Sequence, residues 1–238
     1  DVGFGHLTRC LSLEQALRRR RINPVIIING DESVLPALEG KKNYIFLNWV
    51  DQEQQLFRHI AAADLVIVDS YLANEAIYEA IAHSVRLGVY LDDNRRLHYP
   101  RGVVLNAGVH ASELRYPRTR GVEYLLGAEY AFLRDEFRRV HPKNIRPSIR
   151  KVLITLGGSD SQSLTLKSLR ILDRRYPPLR KHAVVGRLSP ELAAFGNIIG
   201  HRVKITVNAS AVTMKRLMVD ADFAVSAAGQ TLIELARV

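Results

Sequence analysis

Short β-branched runs alternate with helix-period segments along most of this chain, and that alternation limits the fold more than any other feature. Pro24–Asn29, Tyr44–Leu47, Leu65–Asp69, Val89–Asp93 and Val103–Asn106 read as strands, and Leu7–Arg21, Asp51–Ala63 and Asn74–Ser84 as helices between several of them. In the first helix Leu7, Cys10, Leu11 and Leu17 are expected on one face, with Arg18 to Arg21 at the end where the helix dipole favours cations. The polar stretch Arg138–Arg150 holds His141-Pro142 and Arg146-Pro147 and reads as a linker. The rhythm then restarts, with strands at Val152–Leu156, Ala183–Val185, Val203–Val207 and Phe223–Ser226. Helices are expected at Ser161–Arg175, near Pro190–Phe195 and at Ser210–Val219. Strands alternating with helices imply parallel sheets covered on both faces. The expected architecture is α/β, with two Rossmann-like domains over residues 1–140 and 148–238 facing a cleft. The chain opens on a loop with no strand before it and stops inside a helical pattern, so the natural protein is expected to continue at both ends.

Composition narrows the function classes. Hydrophobic residues make up 47% and charged residues 24% of the 238, which suits a globular protein and not a disordered or fibrous one. No apolar run has the roughly 18 residues of a membrane span, so no stable membrane insertion is expected. No leader segment is visible. One cysteine, Cys10, excludes an internal disulfide and fits a cytoplasmic location. The net charge of +10 is carried by scattered arginines, as at Arg18–Arg21, Arg95–Arg96, Arg138–Arg139 and Arg174–Arg175. None of these runs is interleaved with aromatics, so no nucleic-acid partner is expected. Each reads as a solvated face or loop, and the charge leaves room for an anionic substrate such as a nucleotide. The oligomeric state is not legible.

Three glycine loops are candidates for chemistry. Gly3-Phe4-Gly5-His6 precedes the first helix, and its glycines let a backbone approach a ligand closely. Thr8 stands where the dinucleotide fingerprint needs a third glycine. His6, at a helix N-terminus on the carboxyl edge of a sheet, is placed to accept a proton near neutral pH, or simply to cap the turn. Gly157-Gly158-Ser159-Asp160 opens the second domain, with Ser159 or Asp160 as the alternative helix cap. Ser226-Ala227-Ala228-Gly229-Gln230-Thr231 joins a strand to a helix, where backbone amides can take a diphosphate. Glu234 then either accepts from ribose hydroxyls or completes a capping box with Thr231. Asp69-Ser70-Tyr71 and Asp92-Asp93-Asn94 end two buried strands, and their carboxylates can do acid–base work or cap loops. No histidine or cysteine accompanies them with metal-ligand spacing, so no metal and no cofactor are expected.

Taken in order, five segments resemble the PseG/SpsG family, the UDP-2,4-diacetamido-2,4,6-trideoxy-β-L-altropyranose hydrolases of pseudaminic acid biosynthesis. They are Gly3–Leu11, Asp92–Asn94, Leu125–Gly127 with Tyr130–Phe137, Ile154–Asp160 and Ser226–Leu235. The family is related to the MurG-like GT-B glycosyltransferases. The resemblance implies a GT-B-like fold, a UDP-sugar substrate held mainly by the C-terminal domain, and metal-independent hydrolysis of the anomeric C–O bond with inversion. It implies that His6 is the base that activates water, that Tyr71 lies near the sugar and that Glu234 binds the ribose. Gly3, Gly5, Asp92, Gly157, Gly158, Ser159, Ser226, Ala228, Gly229, Gln230 and Thr231 complete the implied substrate site. Gln230 stands where the family usually has a second glycine. The alternative is a GT-B glycosyltransferase using a UDP-sugar donor. A transferase with a lipid acceptor would carry an apolar patch beside a basic one, and no run of Leu, Phe or Trp suggests such a patch.

Overall fold

The computed structural model describes residues 5–38, 40, 43–141, 143–157, 160, 163–186, 189, 192–197 and 202–238. Two compact units divide the chain. Ala16–Phe132 form the central unit, and Asp1–Gln15 with Leu133–Val238 form the terminal unit. Helix α1 (Gly5–Arg19) starts in the terminal unit and ends in the central one. Its most buried residues are Ser12 and Glu14, while Leu7, Cys10, Leu11 and Leu17 are only half-buried. Glu14 lies on the same face as those four apolar residues, and Ser12 lies on the opposite one.

The central unit holds β1 (Ile26–Ile28), β2 (Tyr44–Phe46), α2 (Glu53–Ile60), β3 (Leu65–Val68), α3 (Glu75–Ser84), β4 (Leu87–Leu91), β5 (Gly102–Asn106) and β6 (Val122–Leu126). Strands β3, β4, β5 and β6 pair in that order, all parallel, and β1 pairs with β2 in a separate parallel sheet. Asn74 starts α3 by accepting from the Ile77 amide at 3.0 Å. The helix then buries Ile77, Tyr78 and Ile81 against Leu47, Trp49, Leu56, Tyr90, Tyr99 and Val104. Inside this core Tyr78 meets Tyr90 edge-on at 5.1 Å, and Tyr90 stacks on Tyr99 at 5.7 Å. Burial pushes the Tyr90 phenol up to about 12. Strand β4 begins two residues before the expected Val89, at Leu87, which pairs with Leu65 of β3, and the Tyr90 ring lies where a Cβ at Gly88 would be. Strand β6 was not expected. It pairs with β5 alone and keeps Glu123 exposed, which breaks its apolar signature.

The terminal unit adds α4 (Asp135–Arg138), β7 (Lys151–Thr155), α5 (Leu164–Arg175), β8 (Arg180–Val185), β9 (Val203–Val207), α6 (Ala211–Asp220), β10 (Phe223–Ser226) and α7 (Gln230–Arg237). Its parallel sheet runs β10-β7-β8-β9. The chain therefore steps from β7 outward to β9 and then returns to the far side of β7. Reversal of direction places helices on both faces. On one face Leu166 and Leu169 of α5 meet Val152, Ile154, Ala183 and Val185. On the other, Met214, Leu217 and Met218 of α6 meet Leu153, Val184 and Phe137. Strand β8 starts earlier than expected, on Arg180, Lys181 and His182. Lys181 is 1% exposed, and its ammonium reaches Asp173 at 2.8 Å and the Pro177 carbonyl at 3.3 Å. The polar stretch before β7 is held by Asp222, which accepts from the amides of Arg150 and Lys151 at 2.9 Å each and from Arg146 at 2.7 Å. Burial would raise that carboxyl, but the two amides and the guanidinium outweigh it and hold it below the usual carboxylate range.

Candidate active site

In an open parallel sheet, ligands bind beyond the carboxyl ends of the strands where the strand order reverses. In the terminal unit that point lies between β7 and β10. The two expected glycine loops leave these two strands.

After β10, Ala227, Ala228 and Gly229 lead straight into α7. Gly229 is the N-cap, with φ at 113° and no side-chain cap. That φ strongly favours glycine, and a Cβ at this position would meet nothing within 4 Å. The N-cap of α7 thus supplies no side-chain cap, and the capping-box alternative for Thr231 and Glu234 does not hold. Thr231 is the second residue of the helix, not its cap. Ser226 ends the strand, with its hydroxyl on the Ala227 carbonyl at 3.1 Å.

Glu234, one turn into α7, is only 1% exposed. Its carboxylate is gripped by Arg134, Nε on Oε1 and Nη2 on Oε2, both at 2.6 Å. Arg134 also lies over the Phe137 ring at 5.2 Å. Nothing in the pattern of the sequence pairs two residues a hundred positions apart, so Arg134 could be quoted as part of a motif without its role being visible.

After β7 the loop is different. Gly157 takes φ at 99°, and Gly158 and Ser159 lie outside the described residues. Asp160 and Ser163 both adopt positive φ, at 34° and 57°. Asp160 is buried, and its two oxygens accept from the amides of Leu164 and Thr165 at 2.9 Å each. The capping alternative for Asp160 is the one the structure adopts, so its own carboxylate fills the start of α5.

Gly5 and His6 begin α1 in the same unit, and Gly3 lies outside the described residues. The Arg9 guanidinium sits 3.4 Å from Nδ1 of His6. A guanidinium can only donate, so in this contact Nδ1 carries the lone pair and Nε2 the hydrogen.

Tyr71 and Asp92 belong to the central unit. Tyr71 is 42% exposed, and its hydroxyl donates to Asp93 at 2.6 Å. Asp92 is buried. One of its oxygens accepts from the amides of Asp93, Asn94 and Arg96, and the other from the Tyr116 hydroxyl at 2.6 Å. Asp92 thereby shapes the loop that carries Asp93. An open hollow of about 520 Å³ lies at the other, amino ends of β4, β5 and β6, where Arg86, Arg101 and Glu123 line it. Among the described residues, no group of three or more His, Cys, Asp and Glu could hold a metal ion. Nor is any helix long and apolar enough to cross a membrane.

Comparison with known proteins places this geometry in a wider class. No protein-family model matches the chain. The solved structure of MurG from Acinetobacter baumannii aligns with a TM-score of 0.55 at 13% identity, over 96% of this chain and 69% of its own. The fold is accordingly α/β of the GT-B glycosyltransferase type. In sequence, the chain is 27% identical to an uncharacterised protein of Methanocaldococcus jannaschii, over 98% of this chain and 51% of that protein. It is 22% identical to a Helicobacter pylori protein named pseudaminic acid cytidylyltransferase and UDP-2,4-diacetamido-2,4,6-trideoxy-β-L-altropyranose hydrolase, over 98% of this chain and 40% of that protein. The chain thus spans about half or less of the curated relatives it matches.

Proposed function

We propose that this chain binds a UDP-sugar and hydrolyses its anomeric C–O bond, releasing UDP and a free diacetamido-trideoxyhexose. The observation that carries the reading is the junction of β10 and α7, a three-residue loop at the reversal point whose helix start has no side-chain cap. Backbone amides there suit a diphosphate, and the helix dipole favours its charge. The name of the Helicobacter pylori relative supports the choice of sugar and of hydrolysis.

In this reading the bond between the anomeric carbon and the phosphate oxygen breaks, and its electron pair leaves with UDP. The amides around Gly229, Gln230 and Thr231 stabilise that charge as it develops. Water attacks the opposite face of the carbon, which inverts the centre. His6 takes the water proton on Nδ1, the nitrogen whose lone pair the weak Arg9 contact now occupies. General base catalysis of this kind is typically worth about 10²–10⁴-fold. Glu234 is assigned to the ribose, which requires the buried Arg134 fork on its two oxygens to open when the nucleotide binds. Tyr71, whose hydroxyl donates to Asp93, contacts the sugar. Ser226, Ala228 and Gly157 shape the loops beside the diphosphate; Gly3, Gly5, Gly158, Ser159 and Asp92 are assigned to substrate binding by the family resemblance alone. No step calls for a metal.

The test is to incubate the protein with UDP-diacetamido sugars in excess EDTA and follow UDP release and the new anomeric configuration by NMR. Inverted free sugar is expected. His6→Asn should abolish turnover while UDP affinity stays within about threefold, and full activity in that variant would remove His6 from the mechanism. A transferase reading draws on one further observation. Ile22 and Val25 are 50% and 58% exposed, directly after the exposed Arg18–Arg21, the apolar-beside-basic pattern that the sequence alone did not reveal. Sugar transferred to an added acceptor in preference to water would favour that alternative.

A further inference from the structure

We propose that the amino-terminal rim of the terminal unit's sheet is a docking surface for an anionic phospholipid bilayer. The first ground is where the charge sits. The central unit has fourteen Lys and Arg against fourteen Asp and Glu, and the terminal unit twenty against ten, so the net charge of +10 belongs to the terminal unit alone. The second ground is topology. Arg150 and Arg202 stand directly before β7 and β9, and Arg180 is the first residue of β8. Their backbones are neighbours, since the Arg180 amide donates to the Arg150 carbonyl and the Lys181 amide to the Arg202 carbonyl. Helix α5 joins the carboxyl end of β7 to the amino end of its parallel neighbour β8, so it ends at this rim, on Arg174 and Arg175. All five arginines are exposed.

The acids of this region do not neutralise the rim. Asp173 is held by Lys181, Asp220 by Lys151 and Asp222 by Arg146. Among the described residues, the side chains of Arg150, Arg174, Arg175 and Arg180 have neither an ion pair nor a hydrogen bond. Apolar groups stand beside these charges. Ile171, one turn before Arg174 and Arg175, is 60% exposed, and Tyr176, next in the chain, is 56% exposed. The turn that carries Tyr176 is pinned at two carbonyls, Pro177 by the buried Lys181 ammonium at 3.3 Å and Pro178 by Arg202 at 2.6 Å. Guanidinium groups can fork onto headgroup phosphates while the tyrosine and the isoleucine enter the interfacial layer. One tyrosine followed by two prolines offers no series of stacking platforms to a nucleic-acid strand. The glycine loops leave the carboxyl ends of β7 and β10, so a bilayer on the opposite rim would not cover them.

The experiment is flotation of the whole chain with vesicles of phosphatidylcholine alone and of an equimolar mixture with phosphatidylglycerol. Binding to the mixed vesicles only is expected, falling as salt rises. Arg174→Glu with Arg175→Glu and Arg180→Glu should weaken it about 100-fold or more. The same reversal at three exposed arginines of the central unit, Arg86, Arg118 and Arg120, changes the net charge equally and should weaken binding less than about threefold. Tyr176→Ser should cost about two- to fivefold through the lost apolar contact. If the rim reversal does not fold, Arg174→Gln with Arg175→Gln answers the question, with an expected loss of about 30-fold. Equal weakening by the two triple reversals, or unchanged binding in the glutamine variant, overturns the rim as the docking surface. A wild type that does not bind the mixed vesicles, or that binds polyglutamate or single-stranded RNA more tightly than those vesicles, overturns the bilayer as its partner.

Discussion

Residues 156–163 connect β7 to α5, eight in all, and residues 227–229 connect β10 to α7, only three. Both loops follow an apolar strand, both contain glycine at positive φ, and both open a helix on the carboxyl edge of one sheet. They differ in where the acid sits. In the longer loop Asp160 precedes its helix and turns back onto the amides of Leu164 and Thr165. In the shorter loop the acid is Glu234, inside the helix, and it turns to Arg134. The first helix start is capped by a side chain of its own loop, and the second has a glycine N-cap that supplies none. Two motifs that look alike as strings of small residues therefore do opposite things.

The sharpest way to break this contrast is to give α7 an acid of its own. Gly229→Asp should weaken UDP binding by about 4 kcal/mol, roughly 1000-fold, through like-charge repulsion at the phosphate position. Gly229→Ala, which carries the backbone strain without the charge, should lose much less. Calorimetry with UDP on both variants separates the two causes, and equal losses would mean that the amides are not the phosphate site. Removing the other acid comes next. Glu234→Ala should cost about 2–4 kcal/mol, some 30- to 1000-fold in UDP affinity, through the lost hydrogen bonds to the ribose. Unaltered binding with an earlier melt would reduce Glu234 to a partner of Arg134. The smallest effect is expected at α5. Asp160→Ala should lower stability by about 1–2 kcal/mol through the lost cap, seen as a drop in Tm, with UDP affinity within about threefold. A large loss of UDP affinity there would show that both helix starts, not one, meet the nucleotide.

Much of the fold was legible because the strands of parallel sheets are buried on both faces and read as apolar runs. Strands β3, β5, β7, β9 and β10 lie close to where those runs fall. The early part of β8 was hidden by Lys181, whose charge is matched by Asp173, a residue on α5. The start of β4 was hidden by Gly88, which reads as a breaker and is in fact the seat of a tyrosine ring. The candidate residues were legible as small-residue loops beside strands, since local geometry demands glycine there. What the acids do was not legible. Asp92, Asp160 and Glu234 are all carboxylates beside sheet-edge loops, and their partners are respectively a loop with Tyr116, a helix start and a distant arginine. Those partners are fixed by tertiary packing, which leaves no period in the sequence.

The buried aromatic cluster gives the central unit its own optical signature. Trp49 is the only tryptophan in the chain, and it sits in the same core as the mutually packed Tyr78, Tyr90 and Tyr99. Tryptophan emission therefore follows the melting of residues 16–132 directly, with nearby tyrosines available to pass excitation to it. Helix content measured by circular dichroism is drawn from both units. Under increasing denaturant, two curves that coincide would mark one cooperative body, and two that separate would give each unit its own midpoint from a single unlabelled sample.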